Sequence, residues 1–289
     1  MMSTRVRATT TAVLLPICLL AAGLGASAAS GRSERHIWIW AACLGQAIGG
    51  LIAGAAIVAL GPGLRRVRWP SGMIVAALSC LALPIRAQRA YLPDRDIAVL
   101  VLSIPVMFCA ALVPFLMLRL WRGWRISLPS PANENAAPGA RFGIATLMTV
   151  TAGVALCLTF TQIGYRFAMG LDFSKGTDTE GYLSFLLAQA IAGLVIAMYG
   201  VLIGLPSLWA LLGTRIALWR LAVVGICAAT FTVLLAWAIS SMLRIPFSSA
   251  APTTYQTLLY LTIPLHAGMA ATTTVLAIAA RSAGFRLAG

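Results

Sequence analysis

Eight long apolar runs, separated by short polar segments, make up most of the chain. A run of about 20 apolar residues is long enough to cross the hydrocarbon core of a bilayer as a helix. The third run is short, and the sixth is long enough either to tilt or to end in a surface turn at Gly204-Leu205-Pro206. The pattern predicts an all-α, polytopic integral membrane protein of about eight transmembrane helices. The runs lie at 10–30, 37–61, 71–86, 97–119, 143–165, 181–213, 217–243 and 256–280.

Composition supports the membrane prediction and excludes other classes of protein. The 289 residues are 60% hydrophobic and 10% charged, against roughly 45–50% and about 25% in soluble domains. The same values exclude an intrinsically disordered chain, and six cysteines are too few for a disulfide-stapled domain. The net charge of +14 does not indicate nucleic-acid binding, because the basic residues stand in short groups at the ends of apolar runs.

The distribution of charge predicts the orientation. With a cytoplasmic N-terminus, thirteen of the 21 basic residues fall in cytoplasmic segments, and six of the seven acidic residues fall outside. We therefore expect both termini in the cytoplasm. The alternative is that residues 1–28 are a cleaved signal peptide, because Ala26-Ser27-Ala28 follows an apolar run and resembles a cleavage site. Cleavage would leave seven spans and keep the sidedness of the later loops.

Two sequence matches indicate an internal duplication. Residues 45–51 (GQAIGGL) match residues 188–194 (AQAIAGL) at an offset of 143, in a register that continues to Gly61 and Gly204. Residues 102–106 (LSIPV) match residues 261–265 (LTIPL) at an offset of 159. We therefore expect two parallel four-helix repeats, 1–127 and 141–289, joined by a cytoplasmic linker at 128–140. Four spans is an even number, so both repeats enter the membrane in the same orientation.

The start of the second repeat carries one resemblance to known proteins. Residues 141–151 (RFGIATLMTVT) begin a helix that resembles one in uncharacterised multi-pass membrane proteins of planctomycete type, over residues 141–160. Gly143 and Ala145 depart from the Ser and Arg that are usual there. The resemblance implies a bacterial inner membrane and carries no activity or functional residues with it.

Two glutamines are the first candidates for a functional site. Gln46 and Gln189 occupy equivalent repeat positions, about nine residues below the outer ends of their helices and so near the bilayer midplane. Small residues on the same helix faces favour a tightly packed helix seam with a polar clasp. A substrate site at the repeat interface is the alternative. The glycines predicted to pack helices are Gly45, Gly49, Gly50, Gly54, Gly193, Gly200 and Gly204.

His266 and two prolines complete the candidate set. An ionisable group within a membrane span is a candidate for a proton relay or a ligand contact, and His266 lies about ten residues below the outer surface. The sequence favours packing or a simple hydrogen bond for His266, since no span contains an acidic partner. Pro105 and Pro264 match between the repeats and predict equivalent kinks, which are candidate hinges.

The sequence predicts no metal or cofactor site. The six cysteines fall singly in six runs, without the spacing of a zinc site. Phosphate-binding loops, nucleophile elbows and paired intramembrane carboxylates are also missing from the sequence. We therefore expect a non-enzymatic protein with a structural or accessory role. Its partners would be lipid, a second copy, or another membrane protein. The alternative is a small permease for an uncharged or weakly polar solute.

Overall fold

The computed structural model describes residues 37–61, 65–81, 94–127, 144–170, 179–213, 219–220, 222–230, 233, 252–282 and 284–288. The predicted first span at 10–30, its signal-peptide alternative and the linker at 128–140 lie outside this part of the chain. The described residues are almost entirely helical, which confirms the helical class. Their elements are α1 (Ile37–Leu60), α2 (Arg65–Cys80), α3 (Asp94–Arg122), β1 (Arg125–Ser127), α4 (Ile144–Met169), α5 (Thr179–Tyr199), a π-helical turn (Gly200–Gly204), α6 (Leu205–Leu212), α7 (Pro252–Ser282) and β2 (Arg286–Ala288).

Four helices in the described part of the chain are long and apolar enough to cross a membrane. They are the spans 41–60, 96–122, 179–212 and 262–282. Their first and last residues lie within about four residues of the ends of the predicted runs. The exception is the start of 262–282, which lies six residues after the start of its predicted run. The membrane prediction is therefore confirmed in this coarse form. The short third run corresponds to α2, which begins earlier than predicted and is described as far as Cys80.

Helix α1 lies at the centre of the bundle. In its most apolar stretch 78% of the residues are buried, against 28% in each of the other three spans. It packs against α2, α3 and α7, and its small side chains allow those neighbours to approach closely. The largest side chains around it include Phe115 and Tyr199, both fully buried.

The sixth predicted span does not end at Gly204. The helix runs on through the π-helical turn into α6, and Gly213 ends it instead. The wide turn has a local cause, because Pro206 has no backbone N–H to donate to a carbonyl four residues earlier. The Leu205 N–H instead donates to the Gly200 carbonyl, five residues back. The predicted surface turn is therefore wrong, and the alternative of one long helix holds.

The four candidate spans all run in the same direction. Along α1 and α7, Gly45 faces Leu265 and Gly49 faces Met269, so the contact advances equally on both helices. Gly193 of α5 faces Ala110 of α3. The residues that follow Gly193 contact residues that follow Ala110, so α5 and α3 are also parallel. By contrast, α2 packs antiparallel on α1, and α4 packs antiparallel on α3.

Two short strands cover one end of this bundle. β1 follows α3 and β2 follows α7, and the two pair antiparallel with Ile126 opposite Leu287. Positive backbone φ angles at Gly123 (67°) and Gly284 (95°) reverse the chain after each helix, a conformation that glycine adopts without a steric penalty. Ile126 is buried against the bundle. Neither strand was predicted from the sequence.

Candidate functional site

Helices α1 and α7 touch backbone to backbone at their glycines. A Cβ atom on Gly45 would lie 1.9 Å from the Leu265 carbonyl oxygen, and one on Gly268 would lie 2.3 Å from the Ala42 carbonyl oxygen. Gly49 has a similar contact, at 2.9 Å from the Met269 oxygen. No side chain fits at these three positions without moving a backbone. The contact between the helices is therefore formed by main chain, as in close-packed membrane helices generally.

The opposite face of α1 uses the other two predicted glycines. A Cβ on Gly50 would lie 2.0 Å from the Ser79 Cβ, and one on Gly54 would lie 2.4 Å from the Gly72 carbonyl oxygen. In turn, a Cβ on Gly72 would lie 2.5 Å from the Gly54 carbonyl oxygen. The predicted glycine stripe of the first half thus divides between two neighbours, α7 and α2.

The glycines of the second half pack less tightly. A Cβ on Gly193 would lie 3.2 Å from the Ala110 Cβ, and one on Gly200 would lie 3.2 Å from the Pro114 ring. Gly204 stands closer to its neighbour, with Ile52 Cγ2 of α1 at 2.6 Å from the Cβ position. This last contact brings the long helix of the second half against the central helix of the first.

Gln189 forms a hydrogen bond between α5 and α3. Its Nε2 donates to the Ser103 hydroxyl at 2.8 Å, and that hydroxyl donates to the Val99 carbonyl at 2.8 Å. The Gln189 Oε1 is buried and accepts no hydrogen bond from the described residues. Within this contact between two parallel helices, the amide nitrogen of Gln189 has a hydrogen-bond partner among the described residues and its amide oxygen has none.

His266 is buried and held by its own helix. Its Nδ1 lies 2.6 Å from the Thr262 carbonyl oxygen, which can only accept, so Nδ1 carries a proton in this contact. The imidazole ring packs on the Tyr199 ring of α5, with centroids 5.5 Å apart. His266 is therefore part of the contact between α7 and the long helix of the second half.

Among the described residues, the three candidate polar side chains divide between two helix contacts. Gln46 and His266 lie at the same helix pair, because the Gln46 backbone nitrogen is 3.2 Å from the Cβ position of Gly268. Gln189 belongs to the separate contact between α5 and α3. Pro105 and Pro264 lie within the continuous helices α3 and α7.

Ser103 and Tyr199 take part in the site and were not singled out from the sequence. Ser103 had a signal, because it matches Thr262 in the LSIPV and LTIPL segments, and both carry a hydroxyl group. Tyr199 had none, since nothing in the sequence relates it to a histidine 67 positions further along. Its proximity to His266 arises only from helix packing.

Arginines gather at the end of the bundle where the four spans end. Arg281 donates to the Leu211 and Gly213 carbonyls at 2.6 and 2.7 Å, and Arg119 donates to the Ala59 carbonyl. Carbonyls in the last turn of a helix have no partner within the helix, and a cation there also interacts favourably with the helix dipole. These arginines therefore fix the helix ends to one another.

Near the end of α6, another arginine also donates to a main-chain carbonyl. Arg220 donates to the Trp209 carbonyl at 3.5 Å, and its guanidinium carbon lies 4.6 Å from the Trp209 ring centroid. Trp219 packs edge-on against Trp209. From the sequence, the arginines were expected only to orient the protein in the membrane, and this role of Arg220 was not predicted.

The described residues contain no group of three or more His, Cys, Asp or Glu that could hold a metal ion. The thiol of Cys109 in α3 lies beside the thiol of Cys157 in α4. This contact joins the two predicted halves.

Comparison with protein-family models, with curated proteins and with solved structures finds no significant match for this chain.

Proposed function

We propose that the chain is a multi-pass protein of a bacterial inner membrane, with eight spans in two parallel four-helix repeats and both termini in the cytoplasm. The common direction of the four candidate spans supports the count. Successive spans that run the same way need a return crossing between them. α2 and α4 run the opposite way and supply two of the returns. The third return is the predicted run at 217–243, most of which lies outside the described residues.

The ends of the second helices support the duplication. Gly61 ends α1, and Gly213 ends α6. Arg119 from α3 caps the first of these ends through Ala59, and Arg281 from α7 caps the second. The two halves therefore share one arrangement. In the first half an arginine of α3 holds the end of α1, and in the second half an arginine of α7 holds the end of α6. This correspondence pairs Gly61 with Gly213, where the sequence match had paired it with Gly204.

The strand pair supports the same duplication. Residues 123–127 (GWRIS) correspond to residues 284–288 (GFRLA), and both segments begin with a glycine at positive φ. Their antiparallel register is centred on Ile126 and Leu287. Parallel repeats are related by a two-fold axis along the bundle, and such an axis pairs equivalent residues of two antiparallel strands, as it does Ile126 and Leu287.

Charge supports the proposed orientation. The described acidic residues, Asp94, Asp96 and Glu180, all stand at the beginnings of α3 and α5, and the arginine contacts stand at the opposite end. Basic residues mark the cytoplasmic side of membrane proteins. The end covered by the two strands is thus the cytoplasmic end in this proposal.

The molecular role we propose is structural or accessory and non-enzymatic. The observation that carries it is the main-chain contact of α1 with α7 beside Gln46 and His266, which leaves no space for a solute between these helices. His266 and Gln189 also bond within the bundle. The protein's partners in this account are lipid, a second copy, or another membrane protein.

One observation favours a second function, that of a small permease for an uncharged or weakly polar solute. The buried Gln189 Oε1 is an acceptor with no donor among the described residues. A solute that donates a hydrogen bond would satisfy it. In that case the Gln189 contact would be reached by water, and Pro105 and Pro264 would lie in moving helices.

Thiol accessibility separates these two functions. Single cysteines replace Gln46 and Gln189 in a background whose native cysteines are changed to alanine, and native membranes are treated with a water-soluble maleimide. The accessory role predicts protection at both positions, with Glu180→Cys as the labelled control at the helix start. Rapid labelling at position 189 would contradict it and favour the permease.

A further inference from the structure

Two arginines at the strand-covered end are not used to hold the bundle together. Arg119, Arg220, Arg281 and Arg286 all donate to main-chain carbonyls. Arg122 and Arg125 donate to no group among the described residues. Arg122 is exposed and Arg125 is half-buried. Within the described part of the chain, these two charges have no hydrogen-bond partner.

Arg122 ends α3 and Arg125 begins β1, three residues later. Gly123 reverses the chain between them. Ile126 is buried against the bundle, so its neighbour Arg125 points to the outer face of the strand pair. Arg286 lies on the same face, because it pairs with Ser127, two residues from Arg125. The described part of this end contains no acidic residue to neutralise these charges.

An apolar stripe on α3 leads directly to this surface. Val113, Met117 and Trp121 stand four residues apart and are 50%, 44% and 81% exposed. Residues at that spacing share one face of a helix. In a membrane this face meets acyl chains, and an exposed tryptophan at its end is typical of the headgroup level. The arginines thus stand where the lipid-facing surface of α3 meets the headgroups.

We infer that Arg122 and Arg125 bind the phosphate group of an anionic phospholipid in the leaflet at this end, with Trp121 packed beside the lipid. A guanidinium suits a phosphate because its planar N–H groups pair with two oxygens. The continuity of the arginines with the apolar stripe favours a lipid over a free anion, since a free anion gains nothing from Val113 and Met117. This inference rests on the proposed membrane location.

Lipid retention by the full-length protein tests the inference. The protein is purified in mild detergent with equal amounts of phosphatidylglycerol and phosphatidylcholine, and native mass spectrometry counts the retained lipids. We expect preferential retention of phosphatidylglycerol. Each basic residue near an anionic surface contributes about fivefold in affinity, so Arg122→Gln with Arg125→Gln should lower retention about 25-fold. Arg166→Gln, at the opposite end, is the matched control and should change nothing.

Three results would overturn the inference. The first is equal retention of both lipids, and the second is an equal loss in the Arg166→Gln control, which would indicate a general effect of charge. The third is displacement of phosphatidylglycerol by millimolar inorganic phosphate, which would indicate a site for free anions. Helicity and elution volume establish that each variant is folded. Release of the wild-type protein from membranes by alkaline carbonate would instead overturn the proposed membrane location.

Discussion

Ile126 pairs directly with Leu287, so the strands that follow α3 and α7 meet at one residue from each predicted half. Ile126 is buried, and Leu287 packs against the core of the bundle. The pair therefore closes the end of the bundle with apolar side chains from both halves. In our account it also marks the axis that relates the repeats.

Truncation of this pair should destabilise the protein from either half. We expect Ile126→Ala to lower the free energy of unfolding by about 2 kcal/mol, because it leaves a cavity at a buried site, and Leu287→Ala to act in the same direction. Unfolding of the purified protein in mixed micelles measures both. Trp121→Ala removes a larger but 81% exposed side chain and is the control. A greater loss in the control than in Ile126→Ala would contradict the packing described here.

The glycine contacts predict opposite effects of one substitution at two positions. Gly45→Ala should destabilise the protein by about 1–3 kcal/mol, because the new methyl group meets the Leu265 carbonyl. Gly153→Ala places the same methyl group where nothing lies within 4 Å, and it should stabilise helix α4 by up to about 1 kcal/mol. Thermal unfolding in detergent compares the two. Equal effects would show that α1 and α7 are not in close contact.

The bond between Gln189 and Ser103 should be measurable as a coupling energy. Hydrogen bonds between membrane helices contribute about 0.6 kcal/mol on average. A double-mutant cycle with Gln189→Leu and Ser103→Ala should return a coupling of about that size. The same cycle with Gln189→Leu and Ser184→Ala, an exposed serine on α5, should return none. Additive effects of Gln189→Leu and Ser103→Ala would place the two side chains apart.

The thiol contact between Cys109 and Cys157 predicts a crosslink between the halves. Mild oxidation of membranes with iodine should join the two sulfurs, each thiol losing one proton and one electron to the oxidant. In a protein with a protease site inserted at 134, the halves should then migrate together on a non-reducing gel after cleavage. Cys109→Ser should abolish the crosslink. If the two halves still migrate separately when both Cys109 and Cys157 are present and oxidised, the thiols are not in contact.

The extent of the helices followed from sequence, whereas the pairing of their polar groups did not. Apolar runs of about 20 residues set the bounds of α1 and α3 to within a few residues, because hydrocarbon thickness dictates their length. The strand pair could not be predicted in this way. Three-residue strands have no detectable periodicity, and Arg125 pairs with a residue 163 positions away.

The same distinction applies to the candidate site. The sequence places Gly49, Gly50 and Gly54 on one shared face of α1, because only small residues allow backbones to touch. The structure divides them between α7 and α2. The neighbour on each face, α7 or α2, depends on the arrangement of the whole bundle. For that reason the contact of His266 with Tyr199 and the contact of Gln189 with Ser103 emerged only from the structure.

In the proposed topology the two halves cross the membrane in the same direction, and surface labelling at four single cysteines tests this arrangement. Intact cells are treated with a membrane-impermeant maleimide after Asp94→Cys, Glu180→Cys, Trp121→Cys or Ser282→Cys. We expect labelling at 94 and 180 in intact cells, and labelling at 121 and 282 only after permeabilisation. Labelling at both 94 and 282 in intact cells would contradict it, because α3 and α7 would then run in opposite directions.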